Sequence, residues 1–168
     1  MKRISALSLV LLLLLLCSTA SAAERWHWIG SNETGLYYFS VDDIKYAPDR
    51  ERGIDKNIIQ FVTIHELSAE GVTALSDQMK RYNNNRIEWN RVSYIMNFEA
   101  INIRDRSLRT YTTIFFDEGR HILYKQYWRV SNNYSNWKEI HPSTINDLAY
   151  QHVITYARKH DRDMVKRQ

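Results

Sequence analysis

Residues 91–130 read RVSYIMNFEAINIRDRSLRTYTTIFFDEGRHILYKQYWRV, and this stretch decides the fold. It holds three extended segments rich in Ile, Phe, Tyr and Thr, at about 91–103, 107–117 and 120–130. Asp105-Arg106 and Glu118-Gly119 between them are turn chemistry. Connections this short force neighbouring strands to run antiparallel. Simple alternation in the middle segment puts Leu108, Thr110, Thr112, Ile114 and Phe116 on one face. Arg109, Tyr111, Thr113 and Phe115 fall on the other.

Upstream, Trp26-His27-Trp28-Ile29 and Leu36-Tyr37-Tyr38-Phe39 read as aromatic strands joined by a hairpin turn at 30–35. Asp49 to Gly53 is a polar loop. Asn57 to His65 is a further strand with apolar residues on both faces, which places it centrally. The period then changes. Val72, Leu75, Met79 and Tyr82 stand at helical spacing behind the N-cap Ser68, and Asn83-Asn84-Asn85 ends that helix. A last helix follows Pro142, with Ser143 as N-cap and Ile145, Leu148, Ala149, His152 and Tyr156 along one face. The expected architecture is α+β: a twisted antiparallel β-sheet with a central helix and a C-terminal helix packed against it.

The N-terminus carries a different message. Lys2 and Arg3 precede an apolar run from Leu7 to Leu16, and Ala20-Ser21-Ala22 supplies small residues just beyond. A basic start, an apolar stretch of about 7–15 residues and an A-x-A site define a secretory signal peptide. Residues 1–22 are therefore assigned to a signal peptide, cleaved between Ala22 and Ala23, and residues 23–168 to a single domain. The expected location is exported: periplasmic, secreted or on the cell surface. Cys17 is the chain's one cysteine and falls inside the signal, so the mature domain has no thiol and no disulfide. A lipoprotein signal places Gly, Ala or Ser before its cysteine. Leu16 stands there, which favours soluble export over lipidation.

No second apolar run approaches spanning length, so no transmembrane segment is expected in the mature chain. Losing Lys2 and Arg3 lowers the formal charge of +4 to +2. Such mild basicity, without clustered cations, argues against nucleic-acid binding.

Catalytic motifs are not in evidence. The histidines, at 27, 65, 121, 141, 152 and 160, include no pair at H-x-H or H-E-x-x-H spacing. The sequence has no G-x-S-x-G elbow and no glycine-rich phosphate loop. Asp42-Asp43 and Asp117-Glu118 are adjacent on the chain and read as turn or cap acids. No catalytic residue, metal ligand or cofactor site is assigned. Aromatic residues make up 12 %, with 5 Trp and 11 Tyr, and exposed rings can hold proteins or glycans. Trp89 has the most polar neighbours, in Asn85-Arg86-Ile87-Glu88-Trp89-Asn90-Arg91, and is the candidate partner-binding residue.

Three stretches in this order resemble the surface-adhesin protein E family of small exported bacterial proteins. The first is Trp26-x-Trp28-Ile29-Gly30-Ser31, followed by Tyr37-Tyr38-Phe39-Ser40-Val41-Asp42-x-Ile44. The second is Phe116-Asp117-Glu118-Gly119, and the third is Trp137-Lys138-Glu139-Ile140-His141-Pro142-Ser143. The resemblance implies an antiparallel sheet with a C-terminal helix laid on it, and binding of host matrix and plasma proteins at the cell surface. Family members can tie that helix down by a disulfide, whereas here packing alone must hold it. Three functions stay open. The first is an exported non-enzymatic binding protein, adhesin-like, contacting a host or envelope protein or a glycan. The second is a periplasmic accessory or small-ligand-binding protein. The third is an exported hydrolase with a dispersed site.

Overall fold

Ile, Val and Phe on both sides of one long strand set the centre of the sheet. The computed structural model describes residues 25–49, 51, 53–128 and 137–167. Among these lie strands β1 (Trp26–Asn32), β2 (Gly35–Ser40), β3 (Lys45–Asp49), β4 (Gly53–Leu67), β5 (Tyr94–Asn102), β6 (Ser107–Phe116), β7 (Ile122–Tyr127) and β8 (Lys138–Glu139). The helices are α1 (Ala69–Arg81), α2 (Ile145–Lys159) and α3 (Asp161–Lys166), with a 3-10 turn at Trp89–Arg91. All strands join one antiparallel sheet in the order β1-β2-β4-β5-β6-β7. β3 pairs with the first half of β4, and β8 with the start of β6. The α+β class read from the sequence is the observed one.

Two clusters of buried side chains cover the same face of this sheet. The larger lies under α2 and α3 and includes Ile29, Phe39, Ile44, Ile59, Phe61 and Ile101. Val153, Ile154, Ala157 and Met164 reach it from the helices. The smaller sits under α1 and the 3-10 turn, built on Trp89, Val92 and Phe115 with Leu75 and Met79 beside them. Between them runs a polar belt. The Thr63 and Thr110 hydroxyls donate to the Glu99 carboxylate at 2.9 and 3.1 Å, and Thr113 donates to Asn97 at 2.8 Å. Burial pushes the Glu99 carboxyl up, and the two hydroxyls pull it partly back.

Side-chain ties anchor the C-terminal helices. The Thr144 hydroxyl accepts from the Asp147 N–H and caps α2. Asp147 in turn accepts from the Ser143 N–H at 3.0 Å and pairs with Arg106 of the β5–β6 turn. The Ser143 N–H, with Arg106 adding its charge, holds the Asp147 carboxyl below the ordinary range. Asp161 accepts from Tyr46 at 2.7 Å and from Lys56 at 2.9 Å, fixing α3 to the β3–β4 hairpin. Burial first, then that bond, pushes the Tyr46 hydroxyl up to about 12.

Several details depart from the sequence reading. The α2 cap is Thr144, because Ser143 takes a left-handed φ of 62° and its N–H serves Asp147 instead. The buried face of α2 runs through Ala149, Val153, Ile154 and Ala157, while Leu148 is 39 % exposed. Tyr82 ends α1 in solvent rather than on its packed side. In β6 a bulge opposite Phe98/Glu99 inserts one extra residue. Alternation therefore slips at Tyr111, and Thr110 shares a face with Thr113 and Phe115, not with Thr112 and Ile114. The signal segment with Ala22 and Ala23, the end of the 120–130 strand, and residues 129–136 lie outside the described residues.

Candidate functional site

Trp89 is not exposed. It is 5 % accessible, its indole N–H donates to the Asn84 carbonyl at 2.6 Å, and its ring meets Phe115 edge-on at 5.1 Å. The turn points Trp89 inward while its polar neighbours Glu88, Asn90 and Arg91 point out. Polar neighbours in sequence misled the choice of Trp89 as the partner-binding residue, and the second core takes it instead.

The exposed rings lie elsewhere. Among the described residues the helices cover one face of the sheet only, and strand register builds the other face row by row. One row across the strands is Trp28, Tyr38, Ile64, Met96, Ile114 and Lys125. The next is Leu36, Glu66, Tyr94, Phe116 and Ile122. A third is Val62, Phe98, Thr112 and Tyr127. Trp28 is 54 % exposed and Tyr127 67 %, and Leu36, Phe98 and Ile122 are also exposed. Scattered surface apolar residues are ordinary, but a contiguous apolar patch marks a docking surface.

The patch has a centre. A cleft of about 330 Å³ opens among Trp26, Tyr38, Ile64, Tyr94, Met96 and Phe116. Glu66 and Arg120 stand at its rim. That size is the lower end for ligand clefts, and apolar walls with a few polar groups are their usual lining. Arg120 holds a left-handed φ of 62° in the β6–β7 turn and sets its guanidinium 5.9 Å above the Tyr94 ring. Register adds Lys45, Arg109 and Lys125 to this face, opposite Gln60, Ala100 and Ile114 respectively. Among the described residues the four cations outnumber the acids lining these hollows, which are Glu66, Asp43 and Glu99. The surface can take up apolar side chains and attract carboxylates around them.

No family model matches the chain, and no curated protein matches it.

The histidines are placed one by one. His65 stacks on Tyr37 at 3.9 Å and its Nε2 meets the Thr34 carbonyl at 3.1 Å; burial holds its pKa below the ordinary value. His121 lies against Asp117, which accepts the His121 backbone N–H at 2.8 Å, as a turn acid does. That backbone N–H leads the causes that hold Asp117 below the usual carboxylate range. Asp43 accepts from Ser40 at 2.6 Å at the end of β2. His27 and His152 meet across β1 and α2, 125 residues apart in sequence, with ring nitrogens 3.4 Å apart. Among the described residues, no group of three or more His, Cys, Asp or Glu side chains is placed to hold one ion. No described helix is long and apolar enough to cross a membrane.

Sequence reasoning missed the open face as a site. The signal was present: Ile58, Ile59, Phe61, Val62 and Ile64 alternate onto both sides of β4, yet two amphipathic helices can cover only one.

Proposed function

We propose that the protein is an exported, non-enzymatic binding protein whose open sheet face docks a partner protein. The partner presents apolar side chains flanked by carboxylates. One observation carries this above the rest: the uncovered face is contiguous, apolar and aromatic, with a formed cleft and a surplus of cations at its margins. Aromatic and arginine anchors are the residues that dominate interfaces, and Trp28, Tyr38, Tyr94 and Arg120 supply them here. The signal-like N-terminus supports export. The resemblance to the surface-adhesin protein E family supports surface binding of host or envelope proteins. The cleft's lining is ring and aliphatic carbon with one acid and one guanidinium, which suits holding a ligand rather than transforming it.

The cleft alone also favours a second reading, in which a small apolar ligand fills it inside the periplasm. A photo-crosslinking side chain at position 28, compared with one at position 158 on the outer side of α2, separates the two. Adducts from position 28 with a protein whose attached peptide is apolar and acidic support the proposal. A small-molecule adduct from position 28 supports the second reading. Equal protein adducts from both positions contradict both. Mass spectrometry of the exported protein tests the location: an N-terminus at Ala23 is expected, and a lipid-modified Cys17 would instead anchor it.

A further inference from the structure

His27 and His152 form a second feature, separate from the open sheet face. His27 Nε2 and His152 Nδ1 lie 3.4 Å apart. Two imidazole nitrogens on one tetrahedral zinc ion, each bonded at about 2.0–2.1 Å, stand about 3.3 Å from one another. Right-angled ligation at the same bond length would need about 2.9 Å. The observed gap matches the bite of a tetrahedral ion. It is long for a hydrogen bond between rings, which runs at about 2.7–3.2 Å.

Both rings are held in place by the fold. His27 extends from β1 and leans on Phe39, with ring centroids 5.0 Å apart. His152 is carried by α2, and its centroid is 5.5 Å from that of His27. They open into a hollow of about 430 Å³ lined also by Gln151, Thr155, Lys159 and His160. His160 is fixed there by its Nδ1–H, which donates to the Tyr156 carbonyl at 2.9 Å. No carboxylate lines the hollow. Hard cations such as calcium or magnesium are held chiefly by carboxylates, which this lining lacks, whereas imidazole suits zinc, copper and nickel.

We infer that His27 and His152 together bind a divalent transition-metal ion, zinc-like in geometry, with water completing its coordination. The ion bridges edge strand β1 to α2. In a domain without a mature cysteine it clips the C-terminal helix to the sheet where a disulfide cannot. Two protein ligands leave open coordination positions, so the ion is exchangeable rather than permanent.

Thermal melting of tag-free protein with and without zinc chloride tests this. Zinc should raise the midpoint of the wild type and of His121→Ala alike. His27→Ala and His152→Ala should each weaken zinc binding more than tenfold and lose the rise. Wild-type protein gives a second readout that does not depend on how either variant folds. Substoichiometric copper(II) should broaden the imidazole NMR signals of His27 and His152 before those of His65, His121 and His141. A midpoint that zinc does not move overturns the site. So does a rise that survives in both variants, or copper broadening that spreads evenly over the histidines.

Discussion

Replacing Trp89 by Ala separates a buried tryptophan from an exposed one more sharply than any other substitution. The side chain is 5 % accessible and joins Val92 and Phe115 in the smaller core. Its ring packs edge-on to Phe115 at 5.1 Å and to Tyr124 at 6.0 Å. Removing a buried tryptophan costs about 3–5 kcal/mol, from lost transfer energy and the cavity left behind. The Asn84 carbonyl loses its indole donor, but Asn84 is half-exposed and water replaces that bond at little cost. A loss of about 4 kcal/mol is a large share of the 5–15 kcal/mol that holds a typical domain together. Trp89→Phe keeps most ring contacts and should cost only about 1–2 kcal/mol. Urea unfolding followed by circular dichroism reads both. A loss below about 1 kcal/mol for Trp89→Ala would refute the burial, and with it the second core.

Three further predictions concern the frame of the domain. Ile154→Ala should cost about 2–5 kcal/mol, whereas Leu148→Ala, at 39 % exposure, should cost about 1 kcal/mol; equal losses in urea would mean α2 is rotated from the described face. Gly71→Ala should destabilise although Ala is the better helix former by about 1 kcal/mol. A Cβ there would come 2.1 Å from the Thr34 carbonyl oxygen, so a stabilised variant would contradict that contact. The buried Glu99 carboxyl keeps its proton in the folded state after the unfolded chain has released it. Stability contributed by this group is therefore present below the ordinary glutamate range and lost as pH rises through the raised value. Glu99→Gln should remove that slope in a pH series of urea unfolding, and an unchanged slope would rule Glu99 out as its source.

How much was legible follows the physics of each element. The strand triplet at 91–130 announced itself because its turns are short and its apolar content is high. α1 was readable from its cap, Ser68, whose hydroxyl accepts from the Gly71 N–H. β3 was not, since Lys45, Pro48 and Asp49 have weak strand propensity and only pairing with β4 holds them extended. The slip at Tyr111 was hidden as well, because a bulge depends on the partner strand rather than on local sequence. Trp89 was misread for a related reason: a single 3-10 turn buries one residue between polar neighbours and leaves no period to detect. The pairing of His27 with His152 joins opposite ends of the domain, which only the closed fold brings together. The open face was half-visible, as a strand apolar on both sides with too few helices to cover them.

The central claim is that the uncovered sheet face does the binding, and one titration tests it directly. Isothermal calorimetry of the partner identified by crosslinking would be run against wild type, a Trp28→Ser/Phe98→Ser variant and an Arg158→Ser control. All three should remain folded at the titration temperature; the face variant melts somewhat earlier, since Phe98 is 40 % exposed and Trp28 54 %, but neither belongs to a buried cluster. Hot-spot residues cost 2 kcal/mol or more when truncated, so the face variant should bind at least about thirtyfold more weakly while the control binds as wild type. Unchanged affinity in a folded Trp28→Ser/Phe98→Ser variant would contradict the account.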